Sequence, residues 1–502
     1  MKTNTVRMAL LREAGDANSN RAPTALDPAD WQEFRRLSHQ ALDDMITQLE
    51  TIETRPVWQP MPAAVRESFR QPLPHSGRDL GDVLADFSAD IAPYATGNRH
   101  PLFMGWVHGA GTPVGMLGEM LAAGLNANCG GRDHAGIEVE RQVTRWVAEM
   151  FGFPSHASGL FVTGTSMANF LGLLVARNKA LGHDIRVAGL KAAASQLVAY
   201  ASAQAHGCIA QALELAGVGS DNLRLIPIDA TGAIRIDALR ETIAADRKAG
   251  LLPFLIFGTA GSVNMGAVDD LDAIANIAKA ENIWFHIDGA FGALATLSPG
   301  LKPLVKGMER ADSIGFDFHK WAHVPYDAGF LIVRDPDAHR RTFAAAATYL
   351  QRAPRGLAAG ETWPSDIGPD LSRGFRALKT WFTIQTLGAD RIGAAIETCC
   401  TVARHLEASL KAEPLFEVVA PVTLNVVVWR VAGDVDDSLN NEIVMDLHAR
   451  GVAVPSMTTI GGRPAMRAAI VNHRTGEAHI DGFVAELLAT TRRLQGQFPK
   501  RR

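Results

Sequence analysis

Between residues 113 and 379 the chain alternates seven short apolar runs, at 159–162, 197–200, 223–227, 252–257, 283–287, 313–316 and 330–333, with stretches of helical periodicity. Runs this short and this continuously apolar suit strands buried on both faces, and the helix-length segments between them suit the crossovers that parallel strands require. The pattern predicts a large α/β domain with a mostly parallel sheet. Its functional residues should collect at the carboxyl ends of the strands.

The flanks differ in texture. After a polar leader at 1–26, expected to be mobile, Trp31, Phe34, Leu37, Ala41, Met45 and Leu49 recur at helical spacing. Five prolines then break residues 55–74, and a second helical pattern runs from Leu80 to Ile91. Residues 27–112 therefore read as a segment of separate helices with too little sheet to cover their apolar faces. A partner subunit is the economical cover. Residues 380–502 read as a smaller α+β domain: a long helix at 392–410, strand-like runs at 418–419, 425–431 and 468–471, and a last helix at 480–494.

Charge narrows the partners. The 49 basic and 53 acidic residues nearly cancel, and no block of like charge marks a nucleic-acid or membrane-surface ligand. The four cysteines show no metal-ligand spacing, and no apolar run reaches the roughly 18 residues of a membrane span. A cytoplasmic protein acting on a small molecule, with no metal, is expected.

Several segments carry chemistry. Ser313-Ile-Gly-Phe-Asp317-Phe-His319-Lys320-Trp321 places a lysine just beyond an apolar strand, and His286-Ile-Asp288-Gly-Ala290 ends another strand in an aspartate beside small residues. A carboxylate there suits a pyridinium nitrogen: it holds the ring protonated so that the ring can accept electrons from a breaking bond. Thr163-Gly164-Thr165-Ser166-Met-Ala-Asn169 leads from strand to helix and offers N–H and O–H donors to a phosphate. His206 follows the strand at 197–200, where it can lie over a flat ligand. Tyr349 precedes a Gly- and Ala-rich stretch with the look of a lid, where it either donates a proton or packs the closed loop. Each feature alone also has a plain structural use, as a snorkelling lysine, a helix cap or a core histidine.

Together with Trp31-Gln-Glu-Phe-Arg-Arg, His100-Pro101-Leu-Phe, Asn126-Ala-Asn, Ile137-Glu138 and Tyr349-Leu350, these motifs span nearly the whole chain. The sequence resembles the group II pyridoxal phosphate decarboxylases, the family of aromatic-L-amino-acid, glutamate and histidine decarboxylases. The resemblance implies the fold-type I, aspartate aminotransferase-like architecture. It also implies a homodimer with active sites at the subunit interface and N-terminal helices embracing the partner. It makes Lys320 the Schiff-base lysine for pyridoxal 5'-phosphate, Asp288 the ring-nitrogen partner, Ala290 a ring contact and His206 the stacking histidine. Thr165, Ser166, Ser313, Asp317 and His319 fall at the phosphate end, and Ser262 near the ring. Tyr349 matches the lid tyrosine of true decarboxylases. Thr165 stands where many relatives have glycine, and Asp317 where some have asparagine. An aspartate beside a phosphate needs a compensating donor or a proton.

The implied reaction is decarboxylation of an L-amino acid to the amine and carbon dioxide. Trp106 and His108 suggest a substrate pocket with one polar wall, able to take a phenol, catechol, indole or imidazole, as in tyrosine, DOPA, tryptophan or histidine, and Arg467 is a candidate for the substrate carboxylate. The alternatives are an aldehyde synthase of the same family, against which Tyr349 argues, and a decarboxylase of an acidic amino acid. Cleavage of a phosphorylated sphingoid base lacks the membrane anchor. A cofactor-holding pseudoenzyme predicts loss of Lys320 or Asp288, and both are present.

Overall fold

The computed structural model describes residues 26–344, 352–433 and 435–497. The described residues divide into two compact units, one formed by residues 26–50 and 63–93 and the other by the described residues of 51–62 and 94–497. In the first, the helices Trp31–Glu50, Ala63–Ser68 and Leu80–Asp86 carry no buried residue, as a segment without a sheet of its own would. Of residues 27–112, those at 51–62 and 94–112 cluster with the larger unit. Its physical ties are visible. Met104 N–H donates to the Val454 carbonyl at 2.9 Å and Ala469 N–H to the Met104 carbonyl at 2.8 Å.

In the larger unit all seven expected strands form: β1 Ser158–Val162, β2 Leu197–Ser202, β3 Leu223–Ile226, β4 Leu252–Thr259, β5 Trp284–Asp288, β6 Ser313–Asp317 and β7 Gly329–Val333. They pair in the order β1-β7-β6-β5-β4-β2-β3. Strands β6, β5, β4, β2 and β3 run parallel, whereas β7 is antiparallel to both neighbours. The reversal follows from connection length: only residues 318–328 separate β6 from β7, too few for the helical crossover a parallel return needs. Apolar layers cover both faces of the sheet, which is why its strands read as unbroken apolar runs.

The helix Pro113–Leu125 shows how sharply sequence can set a boundary. Thr112 caps it by accepting from Gly115 N–H at 3.0 Å, proline occupies its first turn, and Asn126 closes it in the left-handed region. Beyond the helix Ala389–Ala412 a second, antiparallel sheet follows, β8 Phe416–Val418, β9 Val426–Val431, β10 Ser456–Ile460 and β11 Arg463–Ala469, in the order β10-β11-β9-β8. Strand β10 and the helix Ser438–Ala449 have no counterpart in the sequence reading. Among the described residues no helix is long and apolar enough to cross a membrane, no group of metal-binding side chains occurs, and all four cysteines are free and buried.

Candidate active site

The carboxyl ends of β1, β2, β4, β5 and β6 lie along one edge of the sheet, and the loops leaving them enclose a cavity of about 400 Å³. Thr165 and Ser166 reach it from the start of the helix Thr165–Leu181, His206 from the turn after β2, and Ser262 from the turn after β4. Asp288 and Ala290 arrive from the end of β5, and Asp317, His319 and Lys320 from the end of β6. Trp106 and His108 come from the segment before Pro113. That segment lies directly on the lysine's backbone: a Cβ at Gly109 would stand 2.0 Å from the His319 carbonyl oxygen and 2.5 Å from that of Lys320. Only glycine permits this approach.

Three charged groups set the electrostatics. Lys320 Nζ lies 3.0 Å from Asp317 Oδ2, while Asp317 Oδ1 accepts the N–H of Thr165 at 2.8 Å. The aspartate therefore caps the helix that begins at Thr165, and that amide is the compensating donor an acidic residue in this place requires. His319 Nδ1 accepts from Ala328 N–H at 3.0 Å, which leaves its proton on Nε2, 3.6 Å from Asp317 Oδ2. Burial lowers the His319 pKa, keeping the ring neutral and Nε2 a donor. Burial also raises the pKa of the Asp288 carboxyl; the charge of Lys320 and the N–H of Ala290, 3.2 Å from Asp288 Oδ1, draw it back.

The cavity fits pyridoxal phosphate on a feature of its own. Thr165 Oγ1 is buried and has no hydrogen-bond partner. A buried hydroxyl without a partner costs about 1–3 kcal/mol, and a phosphate oxygen beside the helix start would satisfy it. Burial of a carboxylate at the end of β5, facing the lysine at the end of β6, matches the needs of a protonated ring nitrogen at one end and an aldehyde at the other.

Not every expected residue arrives. Ser313 is wholly buried at the start of β6, where its Oγ is 2.8 Å from Trp284 Nε1 and 2.7 Å from His286 Nδ1. It does not line the cavity: it stands at the start of the five-residue strand β6, away from the edge where ligands bind. Arg467 is likewise buried within β11, its Nη1 donating to Ser456 Oγ at 2.8 Å, and it too stays off the cavity wall. Burial without a counter-charge lowers its pKa to about 10. Tyr349 lies outside the described residues.

The structure adds residues that sequence reasoning passed over. Tyr326 lines the cavity with its ring 4.3 Å from that of His319 and 6.2 Å from that of His108. His108 stacks on Phe103 and on Trp106 at 5.7 and 5.9 Å, and those two rings lie 6.0 Å from each other, so the three form a triangular cluster. Burial and the charge of Lys320 lower the His108 pKa, which leaves it a neutral hydrogen-bonding face in an aromatic wall. Rarity was the available signal for Tyr326, one of four tyrosines, set only six residues after Lys320.

Comparisons with known proteins agree with this architecture. A family model described as the pyridoxal-dependent decarboxylase conserved domain matches residues 62–432. The chain is 31% identical to an aromatic-L-amino-acid decarboxylase of Bacillus atrophaeus over 93% of its own length and 97% of the relative's. It is 29% identical to a phenylacetaldehyde synthase of Arabidopsis thaliana, covering 92% and 96% of the two chains. Among solved structures, Oryza sativa TDC with PLP and tryptamine superposes with a TM-score of 0.85 at 25% identity, covering 94% of this chain and all of the other. The fold is thus that of the fold-type I pyridoxal phosphate enzymes, as the sequence implied. With the lysine, the buried carboxylate and the phosphate-ready hydroxyl in one cavity, this chain belongs to the pyridoxal-dependent decarboxylases and is an enzyme that uses pyridoxal 5'-phosphate.

Proposed function

We propose that the enzyme decarboxylates an L-amino acid with an aromatic or imidazole side chain, releasing the amine and carbon dioxide. The observation that carries this reading is the wall formed by Trp106, His108 and Tyr326 on the cavity that also holds Lys320 and Asp288. A flat side chain gains apolar burial against such rings, and the neutral imidazole of His108 offers a hydrogen bond to a phenol, indole or imidazole. An acidic side chain would meet no arginine among the residues lining this cavity.

In this reading Lys320 anchors the cofactor, Thr165, Ser166 and the Nε2–H of His319 hold its phosphate, and Asp288 pairs with its ring nitrogen. His206, Ala290 and Ser262 bracket the ring. Once bound, pyridoxal phosphate supplies an electron sink for the bond that breaks at the α-carbon. Asp288, ionised, keeps the proton on the ring nitrogen. The aromatic wall fixes the amino acid so that its carboxylate bond, rather than its Cα–H bond, is aligned to break, and it excludes water from that bond. Lys320 and Tyr349 are the candidate proton donors to the α-carbon. The free cysteines accord with a cytoplasmic protein. A homodimer is supported by the apolar face Leu117, Met120, Leu121 and Leu125 of the helix Pro113–Leu125, each more than 40% exposed.

Similarity to aldehyde synthases keeps a second reading in view, oxidative release of an aldehyde, which consumes oxygen and yields peroxide. Incubating the holoenzyme with tyrosine, DOPA, tryptophan, histidine and glutamate while measuring carbon dioxide, amine, aldehyde and peroxide separates the two. Amine without peroxide from the aromatic substrates is expected, and Lys320→Ala should abolish both turnover and the bound cofactor's absorption. Turnover of glutamate alone would defeat the substrate reading. Peroxide in step with carbon dioxide would replace it with the synthase.

A further inference from the structure

Behind the cavity a file of four side chains ends beside Asp288. Trp284, His286 and Asp288 alternate along β5 and so point to the same side of the sheet. His286 is wholly buried, with Nδ1 at 2.7 Å from Ser313 Oγ and Nε2 at 2.9 Å from Asn169 Oδ1. Trp284 Nε1 lies 2.8 Å from the same Ser313 Oγ. Gly172 makes room for the imidazole, since a Cβ there would stand 2.7 Å from two ring atoms. None of these four side chains lines the cavity.

The order of protons along the file follows from the chemistry of its members. The Asn169 end sets it: Nδ2 donates to Cys208 Sγ, so Oδ1 faces His286 as an acceptor and takes the Nε2 proton, and Ser313 Oγ, which accepts from the indole N–H, gives its own proton to His286 Nδ1. Burial holds the imidazole neutral, its pKa lowered to about 3. A neutral ring that accepts at Nδ1 carries its proton on Nε2 and donates it to Asn169 Oδ1. With its oxygen so engaged, the Asn169 amide presents its NH2 to the remaining neighbours. One is Cys208 Sγ, 3.6 Å away. The other is Asp288, whose register partner on β6, Gly315, packs against the Asn169 amide, and whose pKa Asn169 acts to lower. A reversed amide would set a carbonyl oxygen against that buried carboxylate.

We propose that Trp284, Ser313, His286 and Asn169 form an orienting file, which fixes the N–H end of the Asn169 amide on Asp288 and so keeps Asp288 ionised against the cofactor's ring nitrogen. This rests on the assignment of Asp288 as the partner of that nitrogen. All four are positioning residues: they touch neither substrate nor cofactor. The file also gives Ser313 its use, two hydrogen bonds away from the carboxylate-facing amide rather than at the phosphate.

The test is the protonation of the ring nitrogen itself, read by 15N NMR of holoenzyme loaded with ring-15N pyridoxal phosphate across a pH series. In the wild type the nitrogen should stay protonated well above neutrality, and Asp288→Asn should lose the proton. Ser313→Ala, Asn169→Ala and Trp284→Phe should each lose it at a pH lower by about one unit, a tenfold weaker hold, with kcat falling and KM little changed. Should the first two fail to fold, Trp284→Phe, which keeps a buried aromatic ring in place while removing the donor, decides alone, with its loss of thermal stability read separately from the pH at which the nitrogen loses its proton. If the folded variants hold the proton to the wild-type pH and lose only thermal stability, the file is structural and the proposal falls. If the wild-type nitrogen is already unprotonated at neutral pH, or Asp288→Asn leaves it unchanged, it is instead the assignment of Asp288 that fails.

Discussion

Asp317 is the residue at which this site departs furthest from a simple anion cradle. Its carboxylate accepts the first amide of the helix Thr165–Leu181 and approaches Lys320 at 3.0 Å, beside the hydroxyl proposed to hold a phosphate. An asparagine would keep the acceptor for Thr165 N–H and remove the charge. Asp317→Asn is therefore expected to bind pyridoxal phosphate as tightly as the wild type or up to about tenfold more tightly, roughly 1.4 kcal/mol, in equilibrium dialysis. A tenfold loss of affinity would show that the negative charge, not the capping bond, is what the site uses. At this scale sequence was a good guide to chemical type and a poor one to depth. Ser313 is seven positions from Lys320, yet the four steps of β6 carry it roughly 13 Å from the strand's carboxyl end.

Elements, in turn, are held to the site by two close arrangements. The segment before Pro113 rests on the Lys320 backbone through Gly109, and a methyl group there meets two carbonyl oxygens. Gly109→Ala is expected to displace either the aromatic wall or the lysine, lowering kcat/KM by about a hundredfold while the far-ultraviolet circular dichroism stays unchanged. An active Gly109→Ala enzyme would contradict the close approach. The second arrangement is the buried guanidinium of Arg373, which donates to Glu140 at 2.7 and 3.0 Å and to the Cys129 and Phe161 carbonyls at 2.8 and 2.9 Å. It ties the helix Ala135–Met150 and β1 to the chain leading into the helix Arg376–Leu387. Arg373→Met leaves a buried carboxylate alone and should cost about 3–5 kcal/mol in denaturant unfolding, whereas Arg373→Met with Glu140→Leu should recover most of it. Equal losses in the single and double variants would mean that the backbone carbonyls, not the ion pair, carry the stabilisation.

For the whole molecule, burial writes a pH dependence into stability. Eight histidines, His100, His108, His183, His286, His319, His323, His339 and His473, have pKa values lowered in the fold, with burial as the leading cause. His286 and His339 fall to about 3 and His473 to about 4. Below the ordinary value of 6.5 the unfolded chain takes up these protons and the native state does not, so stability declines as pH drops through that value. Three buried or half-buried carboxyls act the other way, Asp269, raised to about 6, with Asp288 and Asp312. They are outnumbered. Each net proton is worth about 1.4 kcal/mol per pH unit, and the thermal midpoint of the holoenzyme should fall steadily from pH 7 to pH 5 in scanning calorimetry. A flat or rising midpoint would contradict the burial of these rings as neutral groups.

The amino-acid sequence by itself determined what local chemistry can carry: the strands of a sheet covered by apolar layers on both faces, because such strands must be largely apolar, and the residue types of Lys320, Asp288, His206 and Thr165 at their ends. It reached less far into the smaller sheet, where β10, Ser-Met-Thr-Thr-Ile, is too rich in hydroxyls to stand out as a strand. Tertiary structure alone decided the removal of Ser313 and Arg467 from the cavity and the arrival of Tyr326 at it. The reason is geometric. Periodicity reports which face of an element is buried, but which element end a side chain occupies, and what it meets there, depends on how the connections fold back across the sheet.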